Sequence, residues 1–182
     1  MGLSGLFSNV LSMLSLAELG IGEAIVFSLY KPIADNDTKK INAIMAFYQK
    51  VYIFIGSFII LVGVSLTPVI EHLIKGVPDI PYIHVIYVMY VVNSAMSYFF
   101  SYKSTFIRAN QSNYIVTVNE EVFNICSILI RSVLLILTKN YLLFMGLGIV
   151  ILFMQNVNIT RIANRRYPYL KDKNREKIPK DI

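Results

Sequence analysis

Five apolar stretches, each long enough to cross a lipid bilayer, dominate this sequence and leave it few ways to fold. A bilayer's hydrocarbon core is about 30 Å thick and takes roughly 20 mostly apolar residues in a helix. A helix satisfies its own backbone hydrogen bonds where no water can. The stretches cover about 3–30, 44–74, 82–107, 114–137 and 141–162. Lys31-Pro32 and the polar run Asp35-Asn36-Asp37-Thr38-Lys39-Lys40 close the first. Gly76, Pro78 and Pro81 follow the second, Arg108-Ala109-Asn110-Gln111 the third and Thr138-Lys139-Asn140 the fourth. Proline is poorly tolerated inside a helix and restricts the residue before it. The pattern predicts an all-α polytopic membrane bundle of about five helices over residues 1–163, with a basic tail over 164–182. Only 15% of the residues are charged, against about a quarter in a soluble domain, so no separate soluble domain is expected.

The net charge of +6 would by itself suggest nucleic acid or anionic lipid. Its distribution points to topology instead. Lys31, Lys39, Lys40 and Lys50 lie in or beside the first connection, and Lys103 and Arg108 border the third. Arg161, Arg165, Arg166, Lys171, Lys173, Arg175, Lys177 and Lys180 form the tail region. The other side holds only Lys75 and Lys139, and Arg131 falls inside a span. Because Lys and Arg accumulate on the cytoplasmic side, the tail is expected in the cytoplasm and the N-terminus outside. Nucleic acid is not an expected partner; the lipid bilayer is.

No Lys or Arg precedes Lys31, so the positive region of a cleavable signal is missing. Leu6 stands where myristoylation wants Ser or Thr. The lone Cys126 excludes an internal disulfide or a CxxC site, and a buried, inert thiol is expected. An outside N-terminus needs a helix before it to set its orientation. The chain therefore reads as a fragment of a larger protein lacking at least one N-terminal helix.

Polar residues inside the spans follow helical spacing. In the fourth span Asn113, Thr117, Glu120, Asn124, Ser127, Arg131 and Thr138 share one face. In the third the line is Tyr87, Tyr90, Ser94, Ser97, Ser101, Ser104 and Arg108, with Asn93 beside it. A weaker line, Ser4, Ser8, Ser12, Ser15, Glu18 and Gly22, marks the first. Small and hydroxylated residues are the usual material of helix contacts in membranes, which fits the first span and Gly56 and Gly63 of the second. Glu120, Glu121 and Arg131 need a partner or water, since an ionisable group at membrane depth costs about 2.5–3.5 kcal/mol on insertion scales. Glu120 and Arg131 are about 16 Å apart by helical rise, too far for a direct pair. A polar lumen shared by several helices would serve both; alternatively Glu120 or Glu121 reaches the headgroups and Arg131 snorkels outward.

Other chemistry is sparse. His72 and His84 are too few for a metal site, and no nucleophile triad or phosphate loop has a matching context. Neither a cofactor nor an enzyme activity is expected. Tyr48, Tyr52, Tyr82, Tyr141, Tyr167 and Tyr169 lie near span ends, where an aromatic belt is usual.

Glu18-Leu19-Gly20-Ile21-Gly22-Glu23-Ala24-Ile25, followed by Leu29-Tyr30-Lys31-Pro32-Ile33-Ala34, resembles the second helix and first cytoplasmic loop of Wzx-type oligosaccharide flippases. Tyr48-Gln49-Lys50-Val51-Tyr52 is similar to the start of their next helix. Ala163-Asn164-Arg165-Arg166-Tyr167-Pro168-Tyr169-Leu170 resembles the loop after the sixth helix of streptococcal-type repeat-unit transporters. These belong to the multidrug/oligosaccharidyl-lipid/polysaccharide exporter superfamily, whose members have about twelve to fourteen helices in two bundles that rock around a central site. The resemblance implies helices two to six of the first bundle, without the first helix or the second half. It also implies a substrate, an undecaprenyl-pyrophosphate-linked oligosaccharide repeat unit, and polysaccharide-assembly proteins as further partners. With that substrate Arg131 is the candidate for pyrophosphate, which a guanidinium grips with a planar fork of donors. Asn124, Ser127, Ser97 and Ser101 are candidate glycan or water contacts. Glu120 or Glu23 is a candidate for ion or proton coupling. These roles follow from the polar stripes, not from matched family positions. The alternatives are a drug or small-molecule antiporter of the same superfamily, a membrane enzyme, which usually needs larger extramembrane loops, and a non-functional remnant or membrane scaffold.

Overall fold

Three residues in left-handed backbone conformation, Asn36, Gln111 and Lys139 (φ 53°, 53° and 51°), set where the chain reverses. They sit in three of the four connections between the five helices among the described residues: α1 Ile21–Ala34, α2 Thr38–Ser65, α3 Ile83–Ala109, α4 Asn113–Thr138 and α5 Tyr141–Arg166. The structure, a computed structural model, describes residues 21–69 and 82–171. Among these residues there is no strand; short 3-10 turns follow α2 at Thr67–Val69 and α5 at Pro168–Lys171. The part of the expected 3–30 span before residue 21, with its serines and Glu18, lies outside the described residues, as do His72, Lys75, Pro78, Pro81 and the tail beyond Lys171.

The helix ends follow local hydrogen bonding more closely than hydropathy does. Pro32 does not end α1: it lies inside the last turn, and the helix runs on to Ala34. A proline that late in a helix forfeits only one ladder bond. Backbone bonds from Asp35 to Lys31 O (2.9 Å) and from Asp37 to Pro32 O (2.9 Å) then wrap the end around Asn36, as in other left-handed helix caps. Asp37 starts α2 ahead of the apolar stretch, because its Oδ1 accepts the Lys40 N–H at 3.0 Å. Asn140 opens α5 in the same way, accepting from Leu142 N (2.9 Å) and Leu143 N (3.3 Å).

The chain is a membrane-spanning protein: α2, α3, α4 and α5 are each long and apolar enough to cross a bilayer. The outer faces carry large apolar side chains such as Phe54, Leu61, Leu129, Ile136 and Leu137 in exposed positions. Such a surface suits lipid and would be a liability in water.

Helix α3 is the centre of the bundle and touches each of the other four. Its Tyr87, Val91, Ala95 and Phe106 are fully buried. Against it packs α2, through Ile55, Ile59 and two glycines. A Cβ at Gly56 would come within 2.9 Å of the Phe99 ring, and one at Gly63 within 2.6 Å of Val91 Cγ1. These glycines let the backbones approach, the usual basis of close helix packing in membranes.

Asn36 and Gln111 lie at one end of the bundle, here termed the basic end, with the start of the tail region. The chain after α5 docks there. Tyr167 is buried, with ring centroids 5.0 Å from Phe106 and 6.1 Å from Tyr169. Asn42 Nδ2 donates to Tyr169 O at 2.9 Å, and Lys103 Nζ donates to Asn164 Oδ1 at 2.7 Å. The first part of the tail or connector, residues 164–170, therefore packs against the end of the bundle. Burial, reinforced by the neighbouring Tyr167, raises the Tyr169 phenol above its usual 10.0. A folded value above the unfolded one means the stabilisation is complete below about pH 10 and is lost as pH rises through the folded value. Tyr169→Phe is expected to remove this alkaline loss. Thermal midpoints measured across about pH 9 to 11 check this: the parent should fall more steeply than the variant.

Candidate functional site

A gap between α1 and α4 is lined by hydroxyl and charged side chains. These helices share no extensive contact, and α3 packs against both and forms the floor between them. The cleft has a volume of about 590 Å³ and opens near the basic end. Helix α1 contributes Gly22, Glu23, Val26, Phe27 and Tyr30, α2 contributes Tyr52, and α4 contributes Glu120. The floor is Ser101, Ser104, Thr105 and Arg108. Measured along α3, the floor is about 10 Å deep.

Arg108 and Glu120 bridge α3 and α4, with Nη2 and Oε1 3.1 Å apart. The two side chains are 47% and 44% exposed, so the pair stands in the open cleft and is worth little as a staple. It does cancel two of the three charges there. Glu23 is left as a carboxylate with no hydrogen bond or ion pair among the described residues. The floor hydroxyls have their protons committed. Ser104 Oγ donates to Ser101 O at 2.8 Å, Thr105 Oγ1 to the same carbonyl at 3.0 Å, and Ser101 Oγ to Ser97 O. What they present to the cleft is therefore acceptor lone pairs.

Of the residues singled out in the sequence, the structure brings Glu23, Glu120 and Ser101 to this cleft and leaves Arg131, Asn124, Ser127 and Ser97 off its walls. Ser97 is exposed on α3, and its Oγ donates to Asn93 O at 3.4 Å. Asn124 is exposed on α4 and Ser127 is half-buried.

Arg131 faces α5. Its Nε donates to Phe144 O at 3.1 Å, and its Cζ lies 3.9 Å from the Phe144 ring centroid. A Cβ on Gly148 would meet that Cζ at 2.8 Å, so glycine makes the seat. The Tyr90 and Tyr141 hydroxyls pair at 3.2 Å nearby. Glu120 and Arg131 thus occupy separate environments, not one shared lumen. The reason lies in α4's contact line. Val116, Asn119 and Phe123 turn inward, roughly 85° round the helix from the centre of the polar stripe at about 100° per residue. The stripe flanks the α5 contact: half-buried Ser127 lies at its near edge, and Arg131 reaches the α5 backbone through the length of its side chain.

The contact itself holds a pair that the stripes do not include. Asn158 Nδ2 donates to Asn119 Oδ1 at 2.7 Å, and Asn119 Nδ2 donates to Gln155 O at 3.4 Å. Amides at membrane depth are a general sign of such interhelical bonds. Tyr30, Tyr52 and Thr105 in the cleft are also absent from the candidate set, because aromatic and hydroxyl residues near span ends look the same in sequence whether they face lipid or a cleft. Cys126 is exposed on α4, against the expected burial: α4 packs through one narrow line, and none of its most apolar stretch is buried inside the bundle. Among the described residues no cluster of His, Cys, Asp or Glu could hold a metal ion.

Comparison with protein-family models, with curated proteins and with solved structures found no match to this chain.

Proposed function

We propose that this chain is a polysaccharide-biosynthesis flippase, or the part of one corresponding to helices two to six, moving a lipid-linked oligosaccharide repeat unit across a bacterial cytoplasmic membrane. In this reading the basic end faces the cytoplasm, as the distribution of Lys and Arg suggests. The observation that carries the proposal is the cleft between α1 and α4: a hydroxyl-floored, ion-bearing space inside a membrane bundle. A polar glycan cannot cross hydrocarbon unaided, and such a space replaces its hydration with fixed polar groups. The sequence resemblance supplies the class of cargo. The glycan would enter among Ser101, Ser104, Thr105, Glu23 and the Arg108–Glu120 pair. Arg131, about 16 Å further along α4, would meet the phosphates toward the opposite end. Undecaprenyl-pyrophosphate-linked oligosaccharide placed in one leaflet of vesicles containing the chain tests this. The expected result is protein-dependent appearance of the glycan in the other leaflet, read by an impermeant lectin. Transfer no faster than in protein-free vesicles would overturn it.

Arg131→Ala is expected to lower surface polysaccharide about tenfold more than Arg131→Lys, because lysine keeps the charge while alanine removes a charge-assisted contact. Quantifying polysaccharide in cells that depend on this chain checks the difference. Wild-type amounts in both variants would remove Arg131 from the path.

A second reading, an antiporter for organic cations, is favoured by one observation: Glu23, without an ion-pair partner among the described residues, shares the cleft with Phe27, Tyr30 and Tyr52. Uptake of a quaternary-ammonium dye against a proton gradient by the same vesicles would support it over glycan transfer.

A further inference from the structure

We infer that the Glu23 side of the cleft recognises a protonated amine carried on a sugar ring. The proposal rests on reading the cleft as a glycan site and sharpens it to amino sugars. Three kinds of group line the space, and all favour the same ligand. Among the described residues Glu23 is the charge in the cleft that has no counter-ion, since Glu120 already holds Arg108 at 3.1 Å. Glu23 lies about 16 Å along α1 from the helix end at Ala34, where a bare carboxylate is costly unless a cation or water meets it. Phe27 and Tyr30 stand on the same wall in an edge-to-face pair, centroids 6.5 Å apart. Their π faces attract an ammonium and stack against sugar C–H groups. On the floor, Ser101, Ser104 and Thr105 donate to the helix backbone, so in this arrangement their lone pairs are open to a ligand's hydroxyl or ammonium protons. A neutral sugar would leave Glu23 unmatched. An acidic sugar would be repelled by Glu23 and would have to compete with Glu120 for Arg108.

The sequence has no tryptophan, so Phe27→Trp places a single fluorescent reporter on the cleft wall. The purified chain carrying this substitution, in lipid nanodiscs, is titrated with glucosamine, N-acetylglucosamine, glucose and tetramethylammonium. Glucosamine should give a saturable change at least tenfold tighter than the two neutral sugars or tetramethylammonium. Adding Glu23→Gln, which keeps the side-chain shape at an exposed position, should weaken glucosamine about tenfold, to the level of N-acetylglucosamine. Thermal stabilisation of the unsubstituted chain by glucosamine provides a second measurement, independent of the reporter. The inference is overturned if the three sugars bind alike, if tetramethylammonium binds as tightly as glucosamine, if glucosamine neither saturates the reporter nor stabilises the unsubstituted chain, or if Glu23→Gln changes nothing. Binding is read without transport. A chain that flips oligosaccharide but shows no amine preference refutes this inference alone; amine binding without flipping refutes the transport reading alone.

Discussion

Replacing Phe106 with alanine is expected to destabilise the basic end by about 3 kcal/mol, the lower part of the range for truncating a buried phenylalanine. Phe106 is fully buried on α3 and meets Tyr167 at 5.0 Å and Tyr169 at 6.3 Å between ring centroids. It is the hub that holds residues 167–170 against the helices. With the ring gone, the two tyrosines lose their shared partner, and the turn is left to the Asn42–Tyr169 and Lys103–Asn164 bonds. The effect should therefore be local as well as global. Trypsin cleavage at Arg165 and Arg166, both exposed at the end of α5, should speed up in Phe106→Ala much more than cleavage elsewhere. Phe106→Leu should lie between variant and parent, because it keeps most of the volume. Uniformly unchanged cleavage with an unchanged melting temperature would mean that the aromatic cluster does not hold this segment.

Gly63→Leu should act at the α2–α3 contact. Even a single Cβ at this position falls 2.6 Å from Val91 Cγ1, well inside van der Waals contact. Val91 is itself fully buried and has no free space into which to rotate. Overpacking a tight core costs about 1–3 kcal/mol, and leucine here should reach the upper end because the helices must separate along their length. Gly146→Leu is the control, since a Cβ there would meet only Met89 Cε, at an ordinary 3.5 Å, and methionine yields easily. Melting temperatures in detergent separate the two: a large drop for Gly63→Leu and a small one for Gly146→Leu. Equal drops would show that general helix crowding, not the glycine contact, sets the stability.

How much was legible in the sequence depends on the kind of interaction. The four long helices are visible as apolar length, which lipid enforces directly. Their ends were misplaced where a local bond overrides hydropathy: Asp37 caps α2 ahead of its apolar run, and Pro32 is absorbed in the last turn of α1. The packing role of Gly56 and Gly63 was legible because few residues other than glycine suit so close an approach. The polar stripe of α4 was also real as a face, but a face does not say which neighbour it meets. Glu120 found Arg108 across the α3–α4 turn, whereas Arg131 turned to the α5 backbone and the Phe144 ring. Those partners are set by how helices lie side by side, and helical periodicity within one span carries no record of that. The same limit hid Asn119 and Asn158, which are far apart in sequence and meet only when α4 and α5 pair.

The cleft between α1 and α4 should hold water within the membrane, while the outer face of α4 meets lipid. Cys126 is the single cysteine, so Cys126→Ser gives a background in which one new thiol can be followed. Ser101→Cys places it on the cleft floor, and Leu129→Cys places it on an outward, 62% exposed position of α4. Both are offered to a membrane-impermeant maleimide in right-side-out and inverted vesicles. Ser101→Cys should label rapidly from the side facing the basic end, and Leu129→Cys should stay protected from both sides. Equal protection of the two thiols, or labelling of Ser101→Cys only from the opposite side, would contradict a hydrated cleft at the basic end and the transport reading built on it.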